Sequence, residues 1–165
     1  MGKSPCMIDE ALSAPKVVRR VRRGRSSKRD IIISLHPSFD ASLPLRCDYG
    51  AMVLRIGAQK RAIPYFRMQV DRRRIVLSRI ELGGTHQNPS NGPKEPWEWL
   101  VPFRAKRFVN EPHLHLWAEG LRDGWAVPLA RTDFEHFDGP SIQLIEAYLE
   151  YCSISGYASI EWALW

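Results

Sequence analysis

Four runs of residues beyond residue 30 predict β-strands: apolar and polar residues alternate with a period of two in the second and third, and the first and fourth are short runs rich in apolar residues. The second and third of these runs are separated by residues 57–62, a short polar segment that predicts a hairpin turn. The fourth run ends at Gly83 and Gly84, which favour a change of chain direction. The four runs are residues 31–35, 46–56, 63–70 and 75–82.

The clearest helix is predicted near the C-terminus. In residues 141–152 the apolar side chains recur at helical spacing, and Asp138 or Ser141 supplies an N-terminal cap. One amphipathic helix after a series of strands is typical of an α+β fold. We therefore expect an antiparallel sheet of about five or six strands, packed against this C-terminal helix.

A further hairpin is predicted from residues 113–118 and 124–129, and it contains two histidines one residue apart. Successive side chains of a strand point to opposite sides, so His113 and His115 share a face. Leu114 lies on the other side, which we expect to be the core. The two histidines should then line an accessible face of the sheet.

Basic residues are concentrated at the N-terminus. The formal net charge is +6, and the first 29 residues contain nine of the 24 Lys and Arg residues but only two of the 18 acidic ones. We expect residues 1–30 to form a flexible basic arm ahead of a single domain, residues 31–165. Such an arm either binds phosphates in a salt-sensitive way or is a solvated tail. Its candidate nucleic-acid contacts are Arg19, Arg20, Arg22, Arg23, Arg25, Lys28 and Arg29.

Residues 85–112 form a long insert that is rich in proline and aromatic residues. Loops of this length inside a compact domain are often functional. Aromatic rings beside cations can stack bases and hold phosphates of a single strand, which makes Trp97, Trp99 and Arg104 candidate nucleic-acid contacts. The alternative is that these rings only pin the insert to the core.

A third histidine, His86, lies in this insert within a turn-prone segment. Because the pKa of histidine is near neutrality, His86, His113 and His115 could act as general acid and general base without a metal. A metal-independent ribonuclease works in this way, and Arg79 or Arg122 could stabilise the developing phosphate charge. The simpler alternative is that the imidazoles hold the insert against the hairpin.

Metal binding is a rival interpretation of the same histidines. His113, His115 and Glu119 have the His-x-His-x3-Glu spacing of the first cupin motif, and imidazoles with a carboxylate suit iron, manganese, nickel or zinc. However, Arg107 stands where that motif has glycine, and no Pro-x-Gly-x2-His run follows. We therefore expect no metal and no cofactor.

Other classes of protein are not supported by the sequence. Cys6, Cys47 and Cys152 are widely spaced and lack a Cys-x-x-Cys pair, so neither a disulfide framework nor a zinc site is indicated. No apolar run of transmembrane length and no signal peptide are visible. We expect a cytoplasmic protein without membrane contact, and no Walker loop, GxGxxG run or Ser-His-Asp arrangement indicates another enzyme class.

Two segments resemble a family of small uncharacterised proteins of bacteria and their phages. These proteins pair a GxxHxNP segment, here residues 83–89, with a PHLHxxxEGxxxxWAxPL hairpin, here residues 112–129. The resemblance covers residues 45–155 and implies membership more than activity. A strand followed by a Pro-His-x-His element is also distantly similar to toxins of toxin–antitoxin cassettes that are thought to attack nucleic acids.

Two hypotheses of different classes follow. The first is a small mobile-element or toxin-like protein that acts on nucleic acid, as a ribonuclease using His86, His113 and His115. The second is a non-enzymatic binding protein, such as a phage-encoded inhibitor of a host defence complex, which uses the arm and the insert. In both cases we expect nucleic acid, an antitoxin or a host complex as the partner.

Overall fold

The computed structural model describes most of the chain, and its main feature is an eight-stranded sheet. The described residues are 13–18, 32–35, 39–59, 65–72, 75–91, 98–118, 122–137, 139–156 and 159–162. The strands are β1 Lys16–Val18, β2 Ile32–Leu35, β3 Phe39–Arg46, β4 Met52–Gln59, β5 Tyr65–Arg72, β6 Ile75–Leu82, β7 Thr85–Gln87, β8 Arg107–Val109, β9 His113–Ala118, β10 Arg122–Pro128, β11 Ile154–Ser155 and β12 Ser159–Trp162. The strand order of the main sheet is β10-β9-β6-β5-β4-β3-β1-β11.

In the described ranges, the main helix lies near the C-terminus. The α-helix α1, Ile142–Tyr151, begins at Ser141, whose side-chain oxygen accepts a hydrogen bond from the Leu144 N–H. Two short 3-10 helices comprise Glu98–Phe103 and Leu129–Arg131. No helix in the described ranges has the length and apolar character that crossing a membrane requires.

The α+β class and the C-terminal helix are as predicted, but the sheet is larger than the expected five or six strands. Residues 46–56 are not one strand, because a turn at Cys47–Gly50 separates β3 from β4. Gly50 has a φ of 99°, which glycine adopts without strain. The main sheet also gains β1, from within the predicted arm, and β11, which pair in parallel.

One face of the main sheet forms the core. Its side chains from β4, β6 and β9 pack against α1, whose Leu144, Ile145, Tyr148 and Leu149 are buried. The Tyr148 hydroxyl donates a hydrogen bond of 2.9 Å to the Ser78 carbonyl oxygen and so attaches the helix to β6.

The opposite face, called here the polar face, carries charged and hydrogen-bonding side chains. Strands β6 and β9 are antiparallel, with Glu81 opposite His113 and Arg79 opposite His115. Directly opposite side chains on one face have Cβ atoms about 4.5–5.5 Å apart. The register of these two strands therefore brings one carboxylate, one guanidinium and two imidazole groups together.

Residues 85–109, called here the strap, begin immediately after β6. Gly83 and Gly84 have φ values of 95° and 81°, which let the chain turn out of the sheet. The strap contains the antiparallel pair β7 and β8 and the first 3-10 helix, so the predicted loop has secondary structure of its own. Its Phe108 is fully buried, with the ring centroid 4.9 Å from that of His113.

Candidate functional site

The three histidines singled out by sequence converge in one cluster. The ring centroids of His113 and His115 are 4.8 Å apart, and that of His86 lies 4.4 Å from His115 and 5.8 Å from His113. The prediction that the β9 pair lines an accessible face is wrong, because both His113 and His115 are 0% exposed. Phe108 and His86 of the strap are among the residues that cover them.

Glu81, which the sequence interpretation did not single out, completes this cluster. Its Oε2 atom lies 3.4 Å from His113 Nε2 and 3.6 Å from His115 Nε2. Its Oε1 atom lies 3.1 Å from Arg79 Nε. The sequence signal that could have identified Glu81 is its alternation with Arg79, since both are charged residues in a largely apolar strand.

Hydrogen bonding fixes the tautomer of neutral His113. Its Nδ1 lies 2.7 Å from the Glu111 carbonyl oxygen, and a carbonyl oxygen only accepts, so Nδ1 carries the proton. The Nε2 lone pair then faces Glu81 Oε2, another acceptor. His113 Nε2 is buried and has no hydrogen-bond partner among the described residues. Two acceptors at this distance need a proton or a cation between them.

The Arg79 guanidinium approaches the face of the His115 ring and does not point at one of its nitrogens. Its Nη2 atom is 3.1 Å from both Nδ1 and Nε2 of His115. A donor at equal distance from both ring nitrogens does not point along either lone pair. Arg79 therefore forms an ion pair with Glu81 Oε1, with Nε 3.1 Å from that oxygen, while its guanidinium lies against the imidazole.

His86 is oriented by Asn88. The Asn88 amide nitrogen donates to the carbonyl oxygens of Phe103 and Ala126, so its side-chain oxygen is the acceptor. That oxygen lies 3.0 Å from His86 Nε2, which also lies 3.1 Å from the Gly124 carbonyl oxygen. His86 Nε2 must therefore be the protonated nitrogen, and these contacts attach the strap to β10.

Burial and charge shift the titration of this site. Burial raises the pKa of Glu81, but the contact with His115 and the charge of Arg79 outweigh it and hold that pKa well below its usual range. Burial lowers the pKa of His115, opposed by the contact with Glu81, and burial also lowers the pKa of His86. The site thus favours an ionised Glu81 with neutral His86 and His115 at neutral pH.

The other predicted contacts lie away from this cluster or outside the described residues. Trp99 is 50% exposed in the 3-10 helix of the strap, and Arg104 is exposed just after it. The remaining predicted nucleic-acid contacts fall outside the described ranges, and they are Arg19, Arg20, Arg22, Arg23, Arg25, Lys28, Arg29 and Trp97.

The donor set of the cluster is one that metal ions use. Glu81, His113 and His115 each offer one ligand atom, and these atoms all lie within 4.8 Å of one another. Glu119, the carboxylate of the cupin-like spacing, lies outside the described residues. Two atoms bound about 2.0–2.1 Å from one tetrahedral ion are about 3.4 Å apart, close to both measured Glu81-to-histidine distances. The spacing of up to 4.8 Å within the set is wider, so a bound ion would draw these ligand atoms closer together.

Comparison with known proteins gives a family without an assigned activity. Residues 48–154 match the model of a family of unknown function, DUF6978. Neither the curated proteins nor the solved structures contain a match to the chain. The matched residues include both histidine segments and helix α1, and they also include Arg79 and Glu81.

Proposed function

Since the chain belongs to DUF6978, a family of unknown function, its activity has to be argued from the site. We propose that it is a metal-dependent enzyme whose divalent transition-metal ion is bound by Glu81, His113 and His115. The observation that carries this proposal is the unpartnered, fully buried His113 Nε2 that faces a carboxylate oxygen 3.4 Å away.

The ligand types favour zinc or iron(II). Imidazole nitrogens with one carboxylate are a frequent ligand set for these ions, whereas calcium and magnesium prefer oxygen ligands throughout. The Glu111 carbonyl oxygen at His113 Nδ1 is the kind of outer hydrogen bond that orients a metal-binding imidazole. Arg79 holds Glu81 Oε1, which leaves Oε2 directed at the two imidazoles.

The described residues supply three protein ligands, and this number supports an enzymatic role rather than a structural one. Structural zinc sites have four protein ligands, but catalytic sites keep a position for water or substrate. The ion would lower the pKa of a bound water or polarise a substrate oxygen. His86 is half-buried beside the ligands, with a hydrogen-bonded Nε2, and is placed to move a proton.

A second candidate is the metal-free ribonuclease chemistry expected from the sequence. The observation that favours it is that His86, His113 and His115 gather within 6 Å of one another, with Arg79 in contact. Against it, two of these imidazoles are 0% exposed, whereas a nucleic-acid strand needs access to the proton donor and acceptor. A mobile-element or toxin-like role would fit either chemistry.

Metal binding separates the two candidates. The full chain would be stripped with chelator and titrated calorimetrically with Zn²⁺ and, for its visible spectrum, with Co²⁺. We expect one ion per chain and a loss of affinity of more than about 100-fold in Glu81→Gln, exceeding the usual effect of an outer partner. His136→Asn, at an exposed histidine in a turn, is the matched control.

Cleavage of labelled RNA and DNA would then be measured with and without EDTA. Cleavage that requires the added ion and fails in Glu81→Gln supports the metal-dependent enzyme. Cleavage that survives EDTA but fails in His115→Asn supports the metal-free ribonuclease. If the folded protein binds no ion, or if Glu81→Gln binds as tightly as the wild type, the metal proposal is wrong.

A further inference from the structure

The polar face continues beyond the metal ligands across strands β5 and β4. Arg67 on β5 is opposite Glu81, and Gln69 is opposite Arg79. Arg55 on β4 is opposite Gln69, while Gly57 is opposite Arg67. Arginine side chains from three adjacent strands therefore approach the proposed metal site along one face.

Exposure changes steadily along this face. Arg55 is exposed, Arg67 is half-buried, and His113 and His115 under the strap are fully buried. The Glu81 side chain retains 10% exposure and that of Arg79 retains 17%. A ligand would reach the metal site from the β5 side, passing over Arg67 and Gln69.

From this arrangement we infer that the polar face beside the metal site binds a phosphate group, with Arg67 as a direct contact. The inference rests on the proposed function, because it takes the ion to be part of the anion site. The phosphate could belong to a small phosphate ester or to a nucleic-acid backbone, since both present the same oxygen atoms.

The local charge favours an anion once the ion is bound. Of the side chains described on this face, Arg55, Arg67 and Arg79 carry three positive charges, and Asp71 and Glu81 carry two negative charges. A divalent ion would add two more positive charges.

A phosphate, which offers several oxygen atoms, suits these groups better than an anion that binds through one atom. Guanidinium groups bind two oxygens of one phosphate side by side, and a metal ion can take a third oxygen. Gln69 adds an independent indication of a ligand. Its Nε2 donates to Asp71, but its Oε1 is buried, has no hydrogen-bond partner in the part of the chain that the structure describes, and can accept from a hydroxyl group.

The test uses inorganic phosphate as the probe and the full chain in its metal-free and zinc-loaded forms. Phosphate binding would be measured by calorimetry, and by ³¹P relaxation in the Co²⁺-loaded protein. We expect measurable binding only with the ion, and affinity about 10-fold lower in Arg67→Gln, as for the loss of one charge-assisted hydrogen bond. Zinc affinity should not change in that variant. Arg131→Gln, at an exposed arginine after β10, is the matched control.

The outcomes distinguish this inference from the proposed function. If zinc does not bind, both are wrong. If zinc binds but Arg67→Gln holds phosphate as tightly as the wild type, or if zinc-loaded protein binds no phosphate, only this inference is wrong. A 5′-mononucleotide and a short single-stranded oligonucleotide are titrated in parallel. Tighter Arg67-dependent binding of one of them supports the inference and identifies the source of the phosphate.

Discussion

Replacing Asn88 by alanine tests whether one side chain fastens the strap to the sheet. Asn88 is 2% exposed, and its side chain makes four hydrogen bonds. Its amide nitrogen donates to the Phe103 and Ala126 oxygens over 2.8 and 2.7 Å, and its oxygen accepts from the Ala126 N–H over 2.7 Å and from His86 Nε2 over 3.0 Å. The side chain thus pairs with the backbone of Ala126 as a neighbouring strand would, at the edge strand β10.

The magnitude follows from these partners. Each hydrogen bond contributes about 1 kcal/mol net, and the alanine variant also leaves the buried Ala126 N–H and carbonyl oxygen without these bonds. We expect the free energy of unfolding to fall by about 3–4 kcal/mol, near the upper end of single-residue effects. Asn91→Ala, at an exposed asparagine of the same strap, should change it by less than about 0.5 kcal/mol.

Urea denaturation of both variants measures the loss, and amide hydrogen exchange measures its location. Exchange should accelerate at Ala126 and along the strap before it does so in β4 and β5, because only the strap and the sheet edge lose contacts. If Asn88→Ala unfolds at the same urea concentration as Asn91→Ala, or if its exchange rises uniformly, Asn88 does not fasten the strap.

Three further predictions concern stability. Burial lowers the pKa values of His86 and His115 in the folded protein. The free energy of unfolding should therefore be highest above the pKa of histidine in the unfolded chain, about 6.5, and should fall as the pH drops below that value. Urea midpoints at pH 7.5, 6.5 and 5.5 check this, and the pH dependence should be weaker in His115→Asn. Zinc at 100 times its dissociation constant should stabilise the wild type by about 2.7 kcal/mol but leave Glu81→Gln unchanged, as measured by urea midpoints. Tyr148→Phe should cost about 1–2 kcal/mol in urea denaturation without changing zinc affinity, since its bond to the Ser78 oxygen lies on the core face.

The predicted strands β4, β5, β6 and β9 have one face in the core, so apolar residues recur at alternate positions along them. Met52 and Ile56 of β4 are fully or almost fully buried, as are Ile80 of β6 and Leu114 of β9. Strands β1 and β11 have three and two residues, too few to show a period. Strand β3 contains Pro44, which argues against an interior strand in sequence, although here Pro44 pairs in register with Val53.

The histidine pair of β9 was predictable because it depends only on local spacing. Its neighbour Glu81 was not, since the carboxylate is brought to His113 by the register between β6 and β9. The burial of the pair could not be predicted either, because it depends on how the strap folds over the sheet. Local spacing therefore identified the histidine pair, and the register between β6 and β9 determined which side chains contact it.

The composition of the polar face is itself an argument for function. Strands β6 and β9 bury Ile80 and Leu114 on their core face, so the same backbone accommodates apolar side chains well. Taking Glu81 and His113 out of water is costly, and apolar residues of similar volume in such positions are often neutral or stabilising. Folding alone would therefore not require these side chains. A bound cation between Glu81 Oε2 and His113 Nε2 would offset that cost, which is the role we assign to this cluster.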